Sequence, residues 1–428
     1  MPASTATATA PGRAVLKWGR HSIMTERLYY QDSFLYAFEA AVREVRESPR
    51  PSVILDRTAF YPTSGGQLHD TGWIACGESR LRITEVAEAE DGGVIHYLEA
   101  PVKDLIPGTR IRGEIDPARR RDHMQQHSGQ HVLSAAFIRL FDMPTVSFHM
   151  GDDYCSIDLA TLALSREQTE AAERLANDII LEDRRMEVRF VTRAEAGKLG
   201  LRKIPPTERD ELRLIEIGDF DLTACGGTHV RETGQIGSIL LRKAEKVRQG
   251  YRVEFVAGQR AVATARRDFA TLTETAALFS AHIYDVPQQA RKSLDEFKVL
   301  RKQREQSLEE LAEAQAAAVL ANTPELNGRR LVVHTFSDRE MNFLKLFAQK
   351  LTRLAPNAIA LLGTTSPQPA LVFAQSPGQP FDMGARMKET LGKFSGRGGG
   401  SKEMAQGGLP QASDIAGALA HAKATLGL

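Results

Sequence analysis

The chain reads as an α+β multidomain protein, and three observations predict it. Short strand patterns recur at regular spacing over residues 25–116. An Asp-Pro helix start then opens alternating helix and strand signals over 117–258. At 259 the composition turns rich in Ala, Glu, Arg, Lys and Leu, and near 326 it gives way to a further mixed pattern. A length of 428 residues allows about two to four domains of ~150 residues each.

Residues 1–24 begin Met-Pro-Ala-Ser-Thr-Ala-Thr-Ala-Thr-Ala and lack the apolar centre of a secretory signal, so they read as a disordered lead-in. In 25–116 the candidate strands are Ser52–Asp56, Gly72–Ala75, Leu81–Val86, Val94–Leu98 and Arg110–Ile115, separated by Gly, Pro and Asp clusters. Strands this short and regular predict a small antiparallel β-barrel. Asp116 is a favoured N-cap and Pro117 a favoured first helical residue, which predicts a helix to about Leu140 or Phe141. Strands are expected at Thr145–His149 and Tyr154–Leu159, then a helix capped by Ser165 and Gln168. Four more strands, Met186–Val191, Glu211–Ile217, Gly237–Lys246 and Tyr251–Val256, complete an α+β domain ending near 258. Val286-Pro287 interrupts the next stretch, 259–325. Beyond it Arg291–Leu320 predicts one long helix whose Leu294, Phe297, Leu300, Leu308 and Leu311 recur at helical spacing, as in a coiled-coil arm. Residues 326–428 look α/β, with strands at Leu331–Phe336, Ala358–Gly363 and Ala370–Ala374.

The net charge of +1 supplies no global attraction to nucleic acid, so any such contact must come from local patches. Three cysteines, Cys76, Cys155 and Cys225, cannot form a disulfide framework and point to a reducing compartment, with the cytoplasm the expected location. No apolar run of about 18 residues predicts a membrane span.

Two motifs carry the chemistry: His127-Ser-Gly-Gln-His131 on the predicted helix and Cys225-Gly-Gly-Thr-His229 in a turn between strands. Residues four apart on a helix share a face, so His127 and His131 can reach one ion. His123 extends the series by a turn, and spacing alone leaves two overlapping pairs. Gly226 and Gly227 let the second motif fold back and bring Cys225 and His229 together. Three imidazoles and a thiolate suit one four-coordinate zinc ion per chain. The long separation excludes a zinc finger, and the absence of Glu after the first His excludes a His-Glu-x-x-His peptidase. Four protein ligands would close the tetrahedron, leaving the zinc structural unless one ligand yields to substrate. Cys76 and Cys155 have no such partners and read as ordinary strand cysteines.

Two glycine-rich segments stand beside these. Phe60-Tyr-Pro-Thr-Ser-Gly65-Gly66-Gln67 permits close backbone approach to a ligand, with Gln67 able to read a small polar group; it reads equally as a hairpin turn. Gly396-Arg397-Gly-Gly-Gly-Ser-Lys402 offers free N–H groups and two cations to phosphate, or is a linker. Arg119, Arg120 and Arg121 lead into the histidine helix and could contact phosphates near the site, or form a solvated helix end.

The paired motifs resemble the editing domain of alanyl-tRNA synthetases and, more closely, the free-standing alanyl-tRNA editing proteins of the AlaX type. The resemblance implies that His127, His131, Cys225 and His229 are the zinc ligands, which sets His123 aside. It implies that the Gly65-Gly66-Gln67 loop lies beside the editing pocket, and that Gln130 and Thr228 belong among the substrate-binding residues. The segment around Arg397 and Lys402 is similar to the DHHA1-type domain of the same synthetases, implying tRNA contact there. Departures occur at Gln130, where the synthetases usually carry Thr, and at Phe148, where they carry Gln. The implied function is trans-editing: hydrolysis of serine or glycine from mischarged tRNA(Ala), with no residue assigned as the catalytic base. A homodimer through the helical arm and C-terminal domain would fit. The rival is a non-catalytic tRNA-binding module with a structural zinc.

Overall fold

The computed structural model describes residues 24–101, 105–202 and 210–427; the expectation for 1–24 therefore lies outside the described residues, Met24 excepted. By contacts the chain divides into two compact units, with the division between Leu272 and Thr273.

The first unit opens with β1 (Glu26–Arg27), β2 (Ala37–Arg46), β3 (Ser52–Leu55), β4 (Arg57–Thr58), β5 (Gly72–Cys76), β6 (Ser79–Glu88), β7 (Val94–Leu98) and β8 (Arg110–Ile115). A closed barrel runs β2-β3-β7-β6-β5-β8. All five expected strands are present. β2 is an addition: its Ala, Glu and Arg content favours a helix, yet Phe38, Ala40 and Val42 alternate inward while Glu39 and Arg43 face out. Period-two burial overrides helix propensity here.

Inside the barrel His96 is fully buried. Its Nδ1 lies 3.2 Å from the Val53 carbonyl and its Nε2 lies 2.8 Å from Thr58 Oγ1. A neutral ring satisfies both contacts, and burial pulls the imidazole down to about 4. The folded value lies below that of the unfolded chain, so stability is complete above about pH 6.5 and declines as pH falls toward 4. Urea melts should show a loss of about 3 kcal/mol from this residue over that window. In His96→Gln the pH dependence should be shallower by that amount.

Next come α1 (Pro117–Phe141), β9 (Thr145–Met150), β10 (Cys155–Leu159), α2 (Arg166–Leu181), β11 (Met186–Thr192), the single turn α3 (Arg193–Ala196), β12 (Glu211–Ile217), β13 (Asp221–Ala224), β14 (Ile239–Val247) and β15 (Gly250–Ala257). They form a four-stranded sheet, β14-β15-β10-β9, and a three-stranded one, β11-β12-β13. Asp116 caps α1 through Ala118 and Arg119, and Ser165 with Gln168 closes the capping box of α2. Along its middle α1 is buried on every side, from His123 to Phe137. Its polar residues are therefore bonded inward: Gln126 Nε2 donates to the Ala257 carbonyl and its Oε1 accepts from the Ala257 amide, both at 2.8 Å. α4 (Gly258–Leu278) follows the last strand.

The second unit contains α5 (Val286–Ala321), β16 (Arg330–Phe336), α6 (Met341–Leu354), β17 (Ala358–Thr364), β18 (Ala370–Gln375), α7 (Met383–Lys393), β19 (Arg397–Gly400), β20 (Met404–Gly408) and α8 (Asp414–Leu426). Pro287 stands in the first turn of α5, after the break that separates it from α4. The second half of α5 belongs to the core of this unit: Ala312, Ala316 and Leu320 pack with Phe343, Phe347 and Leu351. Lys350 adds bonds to Glu309 and Glu313 at 2.8 and 2.9 Å. Only the first half presents an apolar surface, with Leu294, Phe297 and Leu300 exposed. The sheet order is β16-β17-β18-β20-β19. This corrects the glycine-rich run around Arg397: it is an edge strand paired to β20, so one side of its backbone already bonds within the sheet. Among the described residues no helix is long and apolar enough to cross a membrane.

Candidate metal centre

The histidine helix and the cysteine turn meet within the first unit. One ligand atom each from His127, His131, Cys225 and His229 lies within 4.8 Å of all the others. The Sγ of Cys225 is 3.5 Å from His127 Nε2 and 3.3 Å from His229 Nε2. Neighbouring donors around a tetrahedral zinc ion stand about 3.5 Å apart, given Zn–N near 2.0 and Zn–S near 2.3 Å. The donor set therefore fits such an ion.

Two of the imidazoles, His127 and His229, are hydrogen-bonded from behind, and the third faces a carboxylate. His127 Nδ1 donates to Gln67 Oε1 at 2.7 Å. Ser128 Oγ lies 3.3 Å from His229 Nδ1, and Asp221 Oδ2 lies 3.7 Å from His131 Nδ1. Such contacts fix which nitrogen remains for the ion. Burial opposes a charged sulfur, yet the surrounding imidazoles, His127 foremost, draw the Cys225 thiol well below its ordinary value. Burial likewise keeps His229 well below the usual imidazole value, whereas at His131 the Cys225 sulfur and Asp221 outweigh burial and raise it. A cation needs the thiol ionised and its imidazole ligands neutral, and the lowered Cys225 and His229 both lean toward that state.

The turn is shaped by contacts the motif alone did not reveal. Arg213 on β12, buried, donates from Nη1 to the carbonyls of Cys225 at 2.8 Å and Gly227 at 3.0 Å, and from Nε to Tyr30 at 2.9 Å. Gly227 faces the His127 ring so closely that a Cβ would come within 2.1 Å of its Cε1. Only glycine fits there.

Gln67 and Thr228 are corrected by their surroundings. Both are fully buried. Gln67 Nε2 donates to Thr228 Oγ1 at 2.8 Å, while its Oε1 accepts from the Thr228 amide as well as from His127. With both ends of its amide bonded to protein, Gln67 is placed to orient the His127 ring. Gly66, at φ +87°, presses against the Phe148 carbonyl and seats the loop on β9. Gln67→Ala should weaken metal binding about 10–100-fold. Competition with a chromogenic chelator measures it, and an unchanged affinity would contradict the role.

A cavity of about 470 Å³ opens beside the cluster, lined by His127, His131 and Cys225 together with Gly65, Gln130, Phe148 and Arg202. Gly65 and Gln130 line it, whereas Gly66, Gln67 and Thr228 do not. Phe148 stacks on His127 with ring centroids 5.4 Å apart. His123 is excluded from the cluster: it is buried, with neither ring nitrogen bonded among the described residues. Of the three arginines, Arg121 is exposed and Arg119 half-buried, donating to the His69 carbonyl at 2.9 Å. Arg120 is fully buried against Asp70, a correction to its expected phosphate contact. Arg397 and Lys402 are exposed on the β19–β20 hairpin. Arg202 and Asp221, absent from the expected set, carry no spacing signal that could have singled them out.

Two family models of aminoacyl-tRNA synthetase domains match parts of the chain that hold the barrel and the cysteine turn. The family model described as tRNA synthetases class II (A) matches residues 14–119, and that of the threonyl and alanyl tRNA synthetase second additional domain matches 212–253. The alanyl-tRNA editing protein AlaX-L of Pyrococcus horikoshii is 30% identical over 389 residues, covering 90% of this chain and 94% of its own. The chain belongs to the AlaX-L family of alanyl-tRNA editing proteins, and by that membership is an enzyme of the aminoacyl-tRNA hydrolase kind. Alanine–tRNA ligases of Archaeoglobus fulgidus and Pyrococcus furiosus are each 31% identical over 91% and 94% of this chain, which spans only 43% and 44% of their lengths. Among solved structures, the C-Ala domain of Aquifex aeolicus alanyl-tRNA synthetase matches 23% of this chain at 18% identity, with a TM-score of 0.22.

Proposed function

We propose that this chain acts in trans to hydrolyse the ester joining serine or glycine to tRNA(Ala). The observation that carries the reading is the cluster of His127, His131, Cys225 and His229 with a substrate-sized cavity against three of its members. A hydroxyl added to alanine is poorly rejected by a binding pocket, so a second, hydrolytic site is a sound physical solution. One zinc ion, when bound, supplies a Lewis acid that orients the amino acid or the terminal adenosine. The residues themselves bind and align. Gln130 Nε2 is committed to Ser134 at 2.8 Å, which leaves its carbonyl oxygen to accept from an ammonium or hydroxyl group. Among the described lining residues there is no carboxylate to serve as general base; an aminoacyl ester is activated enough for an aligned water.

Arg119 and Arg121 would steady the acceptor end, and Arg397 and Lys402 a more distant part of the tRNA, in the cytoplasm. The domain reading is a barrel (25–116), a zinc-binding editing domain (117–258), an arm (259–325) and a DHHA1-like domain (326–428). The exposed Leu294, Phe297 and Leu300 support pairing of two arms in a homodimer. The test is a deacylation assay with Ser-, Gly- and Ala-tRNA(Ala). Rapid release of serine or glycine with alanine spared is the expected result. No release from a zinc-loaded protein that still binds tRNA would instead establish the non-catalytic module.

A further inference from the structure

We infer that Arg202 donates from its guanidinium to the carbonyl oxygen of the scissile ester, holding the negative charge that forms there. The inference rests on the hydrolytic reading of the same cavity.

Arg202 is the one Arg or Lys among the described residues lining the cavity that His127, His131 and Cys225 also line. Its backbone is pinned, with its amide donating to the Leu222 carbonyl at 3.1 Å. One end of the guanidinium, Nη2, stands 3.4 Å from Asp221 Oδ2. The other nitrogen, Nη1, is buried and has no hydrogen-bond partner among the described residues. An unpaired buried donor is unfavourable and rare in folded proteins, and a catalytic role is one of the reasons for which it is kept. Asp221 in turn lies 3.7 Å from His131 Nδ1. Guanidinium and imidazole thus both stand within ion-pair distance of the one Asp221 carboxylate oxygen, which places Arg202 near the cluster.

Two oxygen ligands could take this donor, a phosphate or an ester carbonyl. The pairing with Asp221 decides between them. It offsets much of the positive charge, and the side chain is 17% exposed. A phosphate would have to shed its hydration against a half-neutralised cation. A neutral carbonyl enters cheaply and acquires charge only when attacked, which is when a fixed donor contributes most. In that step the water oxygen adds to the carbonyl carbon and the π pair moves to the carbonyl oxygen beside Nη1. As the pair returns, the bond to the terminal ribose oxygen breaks. The proton lost by the water passes to that oxygen, giving a free hydroxyl and the amino acid.

The experiment compares wild type, Arg202→Gln and Arg202→Lys by single-turnover deacylation over a range of protein concentrations, with zinc content and melting temperature measured on each. The expected result is a 100–1000-fold lower maximal rate in Arg202→Gln, about the effect of removing one oxyanion donor. Half-saturation should move less than about threefold, with zinc content unchanged and partial recovery in Arg202→Lys. An unchanged maximal rate overturns the inference. So does a weaker half-saturation with a smaller salt dependence, which marks a phosphate contact, and so does loss of zinc, which marks a role confined to Asp221 and His131. Failure of the wild type to deacylate overturns the hydrolytic reading itself and this inference with it. An active wild type beside an equally active Arg202→Gln overturns only the inference.

Discussion

Cys225→Ala and His131→Ala should each leave the protein nearly free of zinc and lower deacylation of Ser-tRNA(Ala) about a thousandfold, the several kcal/mol expected of a metal-assisted site. Removal of one of four donors weakens the site, since affinity depends on ligand number and type. Metal analysis of the purified variants, followed by single-turnover assays with and without added zinc, measures both effects. Because His131 lies on α1 and Cys225 in a turn after β13, the two variants test both elements independently. A metal-free Cys225→Ala that still deacylates at the wild-type rate would reduce the ion to a structural part. Gly227→Ala should approach the same phenotype without touching a ligand, since its Cβ would displace the His127 ring.

Asp70→Ala should lower the free energy of unfolding by about 3–5 kcal/mol, because it strands a buried guanidinium. Arg120 and Asp70 are both fully buried, with Arg120 Nε 3.1 Å from each Asp70 oxygen and Nη1 donating to the Ser33 carbonyl at 2.7 Å. Tyr61 donates its amide to Asp70 at 2.7 Å, so the carboxylate also holds the irregular segment leading to the Gly65–Gly66 loop. Urea denaturation gives the magnitude. A double variant, Asp70→Leu with Arg120→Met, should recover most of the loss because neither charge is then left alone. If the single variant is as stable as wild type, the pair does not bear on folding as argued.

The three successive arginines illustrate what a sequence can and cannot say. Along a helix neighbouring side chains point about 100° apart, so Arg119, Arg120 and Arg121 cannot share an environment. Which one turns inward depends on the barrel packed against them, and no local spacing encodes that. The metal ligands were legible for the opposite reason. His127 and His131 satisfy a local geometric rule, and Cys225-Gly-Gly-Thr-His229 needs its glycines for a fold-back within five residues. Most of the longer strands were legible from β-branched runs between turn residues, whereas the short β1, β4, β13 and β20 were not. β2 was not, since Phe38 to Val42 are interleaved with Ala and Glu. β19 was not either, as a run of glycines carries no side-chain pattern. Gln67 was visible as part of a glycine-rich loop, yet its partners His127 and Thr228 come from distant segments. Its role is a property of tertiary packing. The buried face of α1 likewise escapes periodicity, because polar residues such as Gln126 are buried there with their bonds met by β15.

The Gln67 bridge makes filling of the metal centre and seating of the barrel loop a single equilibrium. A cation that favours one orientation of His127 also favours the loop conformation that supplies the bond behind it, and by linkage the effect is reciprocal. Chelation should therefore be felt outside the cluster. The Thr228 amide bonded to Gln67 at 3.1 Å and the Ser64–Gln67 backbone pair at 3.0 and 3.1 Å should exchange with deuterium faster in the metal-free protein. The wall of the barrel distant from this loop, at β2 and β3, should exchange at an unaltered rate.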